Sequence, residues 1–294
     1  MAAGNTAAGT GTLALVGPGR AGTTMTLALL ELGWEAVAVA GRAPDAPSTQ
    51  AAAACLGARP TLVSEAGRGA TLVVVATPDR AISAAACAVG PSLEPGALVL
   101  HLAGSVGLDA FEALRGMRSD VRVGALHPLQ SFPSTTMGVE RVRGAWAAVA
   151  GDPQTEELAV ALGMRPFALP DAERPMYHAA AVVASNHLVA LLGQVERLAA
   201  SAGVPFEAFA PLVRSSVANA FGVGPARALT GPVSRGDLAT VEEHLRTLDP
   251  GERDSYRALA REVARLTGRR DSALDRLLGD MRNAPANPDP DPEY

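Results

Sequence analysis

Lysine is missing from this 294-residue chain, and all 25 of its basic side chains are arginine. Any mechanism built on a lysine ammonium, whether as proton donor or as Schiff base, is therefore excluded. Charge in general is scarce, at 19% of residues with a formal net of −5. No basic run or stripe is present, which excludes the electrostatic footprint of a nucleic-acid binder. The two cysteines, Cys55 and Cys87, stand far apart with no CxxC spacing. That pattern predicts reduced thiols in a cytoplasmic protein and gives no support to paired metal ligation. Long hydrophobic runs are also lacking: glycine, proline and polar residues break every apolar stretch well short of the ~20 residues a spanning helix needs. No membrane role is expected. The opening "MAAGNTAAGTGT" has neither a basic region nor an apolar core, so it does not read as a signal peptide. What the chain does have is apolar material, 48% of residues, enough for one large domain or two ordinary ones.

Its arrangement changes part-way along. Apolar runs at 12–16, 35–41, 70–78, 96–104, 122–128, 144–151 and 165–170 read as strands, separated by helical patterns at 20–33, 49–57, 79–89 and 153–163. The near-continuous "ATLVVVATP" is the pattern of a parallel strand covered on both faces. Alternating strand and helix predicts a doubly wound, mainly parallel α/β sheet. Beyond Pro170 only helical patterns occur, at 174–202, 205–221, 237–247, 250–267 and 271–281. The expected organisation is a tail at 1–11, a nucleotide-binding domain at 12–170, an all-α domain at 171–282 and a tail at 283–294. The long first helix of the second domain, apolar on more than one side, predicts burial against another subunit.

The first strand runs into "VGPGRAG". Gly17-Pro18-Gly19-Arg20-Ala21-Gly22 is G-x-G-x-x-G between strand and helix. The first glycine permits the tight turn, the second lets backbone approach a pyrophosphate, and the third lets helix and strand pack closely. The helix N-terminus then offers N–H groups to phosphate. The second strand ends "AVAGRAP", with Gly41 and Arg42 where an NAD site usually places an acid. A guanidinium there suits a 2′-phosphate, so the expected cofactor is NADP. Ala76, Thr77 and Pro78 end the strongest strand, at the sheet edge where such folds bind ligands.

With lysine absent, the five histidines become the natural proton donors near neutral pH. His101 and His127 sit at strand ends, and His178 and His187 on the long helix. His244 lies in the charged "VEEHLR" and reads as a solvated helix residue. His127 is the first candidate acid and His178 the second. On a regular helix Ser185 lies ~20° around the axis from His178 and Asn186 ~80°. Both are candidates for orienting substrate, and hydrogen bonding within a packed core or dimer interface is the competing reading. In "ALTGPVSRGD", Thr230, Ser234 and Arg235 can be read as carboxylate contacts or as part of a helix cap, and Asp237 suits an N-cap.

Taken together, "VGPGRAG", "VVVATPDRAI", "HLAGSVG", "GALHPLQSF", "YHAAAVVASNHLVALL" and "LTGPVSRGD" resemble the Rossmann-like proteins with a C-terminal domain of unknown function called DUF2520. That group is similar to the 6-phosphogluconate dehydrogenase C-terminal-like superfamily, whose members include pyrroline-5-carboxylate reductase and F420-dependent NADP oxidoreductase. The resemblance implies an N-terminal NADP-binding domain and a helical domain that forms a homodimer and helps hold a small-molecule substrate. It implies a cytoplasmic oxidoreductase that reduces a carbonyl or imine of a small carboxylate-bearing metabolite, with 2-dehydropantoate as a candidate. Better-known ketopantoate reductases use a lysine acid, which this chain lacks. The alternative is an NADP(H)-binding sensor that never transfers hydride.

Overall fold

The computed structural model describes residues 10–133 and 138–279. The two tails expected from the sequence lie almost wholly outside these residues. By internal contacts the chain forms two compact units, Met1–Leu188 and Val189–Tyr294.

The first unit is built on one sheet of eight strands in the order β3-β2-β1-β4-β5-β6-β7-β8. The strands are β1 (Thr12–Val16), β2 (Glu35–Ala40), β3 (Arg59–Thr61), β4 (Leu72–Val75), β5 (Leu98–His101), β6 (Arg122–Pro128), β7 (Trp146–Gly151) and β8 (Arg165–Ala168). All neighbours pair parallel except β6 and β7. Helices α1 (Arg20–Leu30), α2 (Pro47–Leu56), α3 (Ile82–Val89), α4 (Glu112–Met117), α5 (Gly138–Val142) and α6 (Gln154–Ala161) connect them. Successive strand residues face opposite sides. Leu13, Leu15, Leu72, Val74, Leu98 and Leu100 enter one apolar core, while Ala14, Val16, Val73, Val75 and Val99 enter the other. Two buried faces explain why these strands read as unbroken apolar runs. Each fully buried leucine contributes about 1.5–3 kcal/mol.

The doubly wound sheet is the one expected, with two departures. β7 runs antiparallel to β6, so the last part of the sheet is mixed. Strand β3, "RPT", escaped the sequence reading because three residues carry no periodicity.

Helix α7 (Arg174–Val182) closes the first unit, followed by a π-helical turn at Val183–His187 and then α8 (Leu188–Ser201). This corrects the uniform helix assumed over 174–202. The angular offsets assigned to Ser185 and Asn186 do not hold through a turn that uses i→i+5 bonds. A second correction concerns length. The helical run Asp171–Ser201 has 31 residues and a mean hydropathy of 1.3 over its most apolar window, enough by length and composition to cross a membrane, with 6% of that window buried. Histidine, serine and asparagine interrupt its apolar pattern without adding charge. In the fold its first turn packs on the sheet, where the Tyr177 ring meets those of His127 and Phe167.

The second unit is helical throughout its described residues. After α8 come α9 (Ala210–Val223), α10 (Pro225–Ala228), α11 (Pro232–Arg235), α12 (Leu238–Thr247), α13 (Pro250–Leu266) and α14 (Ser272–Leu278). Val233, Val241, Leu245, Ala260, Ala264, Leu274 and Leu278 form its core. Two short helices, Pro225–Ala228 and Pro232–Arg235, take up half of the loop expected over 228–237.

Candidate functional site

Strand order reverses between β1 and β4, and a cleft opens at their carboxyl ends, as the topology of open α/β sheets dictates. Its volume is about 850 Å³, within the range of small-molecule sites. Every residue the sequence nominated for cofactor lines it: Gly17 through Gly22, Arg42, and Ala76, Thr77 and Pro78. Ser48, Gln130 and Phe132 also line it, and the sequence reading did not find them. They lie on α2 and on the exit from β6, elements that only the tertiary fold brings to β1.

The glycine loop has the geometry its spacing requires. Gly17 has φ +95°, and a Cβ there would sit 2.6 Å from the Ala76 carbonyl carbon. A Cβ on Gly22 would sit 2.7 Å from Ala76 Cβ and 2.9 Å from Leu15 Cδ1, so this glycine sets how closely α1 approaches the sheet. Gly19 is the opposite case, with nothing within 4 Å of its Cβ position, so its open side is space for a ligand. Helix α1 starts at Gly19 with no side-chain cap and no acid in its first turn, which leaves the positive end of the helix facing the cleft. The Thr77 hydroxyl is buried and has no partner within the described residues. Arg42 is exposed at the end of β2, and Arg20 donates to the Pro133 carbonyl at 3.2 Å. Two guanidiniums, an uncapped helix and an unmet hydroxyl suit a dinucleotide phosphate ester.

A second cluster stands at the same sheet edge, on β5, β6 and α7. It joins the cleft at the exit from β4, where Asp79 follows Pro78 and accepts a hydrogen bond from the Ser105 hydroxyl beyond β5. His127 Nδ1 lies 2.7 Å from the Tyr177 hydroxyl. Burial pushes the Tyr177 phenol up to about 12, so it keeps its proton near neutral pH. Nδ1 is its sole partner within the described residues. Where the phenol donates to Nδ1, the ring proton of His127 sits on Nε2. The His127 and His178 rings are 5.8 Å apart, edge to face. Gly104 fits between them: a Cβ there would be 2.5 Å from His178 Nδ1 and 2.9 Å from His127 Nε2. His127 is pushed down to about 4, first by burial, then by the charges of His178 and Arg174.

His101 is placed differently. Its Nδ1 accepts from the Ala103 N–H at 3.2 Å and its Nε2 donates to the Gly107 carbonyl at 3.3 Å. With both nitrogens committed and its side chain wholly buried, His101 pins the turn after β5, and burial pushes it down to about 4. Beside it Arg174 is fully buried. Its Nε donates to Asp171 Oδ1 at 2.9 Å, while Nη1 and Nη2 have no partner within the described residues. Each unmet buried donor group costs about 1–3 kcal/mol. The sequence reading missed Arg174, Tyr177, Asp79 and Ser105; an arginine inside the apolar "DAERPMYHAAAVV" was the available signal.

The structure thus brings His127 and His178 together, while among the described residues Ser185 and Asn186 make no hydrogen bond to either. Ser185 Oγ donates to the Ala181 carbonyl at 2.7 Å and to Asn186 Oδ1 at 2.9 Å, and Asn186 and His187 are exposed on the π turn. In the second unit, Asp237 caps α12, accepting from Thr240 N at 3.1 Å. Ser234 Oγ donates to the Gly231 carbonyl at 2.9 Å, and His244 meets the Tyr256 hydroxyl at 2.8 Å. No group of three or more His, Cys, Asp or Glu suited to a metal ion occurs within the described residues.

Residues 146–263 match DUF2520, a domain of unknown function. The match begins in β7 and continues into α13. No curated protein matches the chain. Among solved structures the chain is similar to protein BF3122 of Bacteroides fragilis, described provisionally as an NADP oxidoreductase. The identity is 24% and the TM-score 0.77, covering 87% of this chain and 98% of the other. Protein TM1727 of Thermotoga maritima is also 24% identical, with a TM-score of 0.63 and the same coverage of each chain. A pyrroline-5-carboxylate reductase from Coxiella burnetii is 17% identical with a TM-score of 0.53, covering 92% and 98%. At these identities the shared property is the fold: a Rossmann-like sheet followed by a helical region.

Proposed function

We propose that the chain is an NADP-dependent oxidoreductase that reduces a carbonyl or imine carbon of a small metabolite. The observation that carries this reading is the adjacency at the exit from β4: Pro78 lines the cleft, and the next residue, Asp79, accepts from Ser105, whose neighbour Gly104 rests on the His127 and His178 rings. In this reading Arg42 and Ser48 hold the 2′-phosphate, and Arg20 and the start of α1 face the pyrophosphate. Thr77 finds an acceptor for its hydroxyl. Bound NADPH supplies hydride. The protein orients the acceptor carbon and manages the proton. His127 polarises the substrate oxygen or nitrogen through Nε2–H, and once the ring is protonated it delivers the Nε2 proton there while the Tyr177 oxygen accepts from Nδ1–H and fixes the ring. His178 lines the same spot from the helix side.

A sensor that binds NADP(H) without hydride transfer is the second reading. One observation favours it: burial holds His101 and His127 neutral at pH 7, so neither is a charged acid. The homodimer implied by the resemblance is supported by exposed apolar side chains on α8 and α9, among them Val189 at 68%, Leu212 at 62% and Phe221 at 90% exposure.

Fluorescence titration with NADPH and NADH tests the cofactor, and absorbance at the nicotinamide band with 2-dehydropantoate, pyrroline-5-carboxylate and a wider metabolite panel tests the reaction. Preference for NADPH with substrate-dependent oxidation is the expected result. Binding without oxidation across the panel would support the sensor, and binding of neither nucleotide would refute both. Arg42→Ala should weaken NADPH by about 1.5 kcal/mol, roughly tenfold, with little change for NADH.

A further inference from the structure

We infer that Arg174 is the anchor for a carboxylate on the molecule that occupies the histidine site. The inference takes from the reductase reading only the assumption that this occupant is the substrate.

Among the described residues Arg261 and Arg269 each leave a buried Nε without a partner but place Nη2 on a backbone carbonyl, and Arg118 uses its whole guanidinium. Arg118 places Nη1 on the carbonyls of Gly90 and Leu93, and Nε and Nη2 on the two oxygens of Asp120. Arg174 is the most buried of them, at 0% side-chain exposure, yet only its Nε is bonded. The second oxygen of Asp171 accepts from the Leu108 N–H at 2.8 Å, which holds the carboxylate in place, and Arg174 meets it through Nε alone. The arrangement orients the guanidinium through Nε and leaves the paired Nη face free. That face is the one that grips a carboxylate in a two-point fork.

The surroundings ask for an anion rather than a neutral group. His127, His101 and Tyr177 all lie within the field of Arg174, which opposes protonation of both imidazoles. The remaining groups whose charge acts at His127 are His178, on the same helix as Arg174, Asp79, across the turn after β4, and His101 on β5. Asp79 is already engaged by Ser105. A carboxylate on Arg174 would offset its field at His127. The imidazole then holds a proton more readily as the anion arrives, so a carboxylate-bearing substrate favours the acid needed for reduction. The turn Gly104–Gly107 covers the cluster, Gly104 resting on both rings and Gly107 packing on Asp171. Entry requires this turn to move aside.

The test is calorimetric titration of NADP⁺-saturated protein with acetate, oxamate, 2-oxobutanoate and inorganic phosphate, each in two buffers of different ionisation enthalpy. At least one carboxylate should bind the wild type with net proton uptake. Arg174→Met should weaken it tenfold or more, Arg174→Lys should retain part of the affinity, and NADP⁺ affinity should stay within twofold in both. If Arg174→Met does not fold, Arg174→Lys and the His127 ring titration followed by NMR in the wild type carry the test; added carboxylate should raise that titration. Binding of no carboxylate, binding of phosphate alone, or equal binding by wild type and variant would overturn the assignment. Repeating the titration without nucleotide separates the two readings. A carboxylate site in a protein that binds no NADP(H) would end the reductase reading and leave this one standing.

Discussion

Lowering the pH from 7 to 5 should destabilise the first unit strongly, and His101 should account for about half of the effect. In the folded protein His101 is buried with both ring nitrogens bonded as the neutral form requires, and it titrates near 4 against an ordinary value of 6.5. The unfolded chain therefore binds the proton first. Between those two values the unfolded state carries more protons than the folded one, so stability rises with pH and is lost as the pH falls below 6.5. Linkage over that interval gives a loss of about 2 kcal/mol from His101 at pH 5. His127, pushed down to about 4 as well, adds a similar amount. The interval lies above the ordinary carboxylate range, so acidic side chains contribute little to it. Urea unfolding of wild type and His101→Gln at pH 7, 6 and 5 measures the effect. The variant should be less stable at pH 7, because one nitrogen of the ring has no counterpart in glutamine, but it should lose about 2 kcal/mol less between pH 7 and 5. Parallel pH profiles for the two proteins would refute the argument, since they would mean that His101 charges without cost in the folded state.

Other consequences follow from the same geometry. His127→Gln should lower turnover about a hundredfold or more while leaving NADPH affinity within twofold; unchanged turnover would remove His127 from the chemistry. Gly22→Ala forces its new methyl onto Ala76 and Leu15, so α1 must move away from the sheet. It should cost about 1–3 kcal/mol in denaturant unfolding and weaken NADPH binding in titration.

Much of the nucleotide cleft was legible in the sequence because its residues are contiguous. Gly17 to Gly22, Gly41-Arg42 and Ala76 to Pro78 each sit at the end of a strand that local pattern identifies, and a parallel sheet places those ends along one edge. The histidines at strand ends were legible for the same reason. What stayed hidden depended on contacts between distant segments. Nothing local tells that Tyr177 meets His127, that Gly104 lies between two imidazoles, or that Asp171 meets Arg174 through Nε alone. The sequence also misled where it assumed regularity: a π turn at Val183–His187 replaces the α spacing from which Ser185 and Asn186 were aimed, and no local pattern marks such a turn. By itself the sequence determined the order of the main strands and helices, though not β3, α4 or α5, together with the glycine loop and the absence of a lysine acid, since these rest on neighbours within a few residues. Only the tertiary structure decided which histidine is pinned, which faces its partner, and which arginine is left with donors to give. Pairing of buried polar groups is settled by which segments pack together.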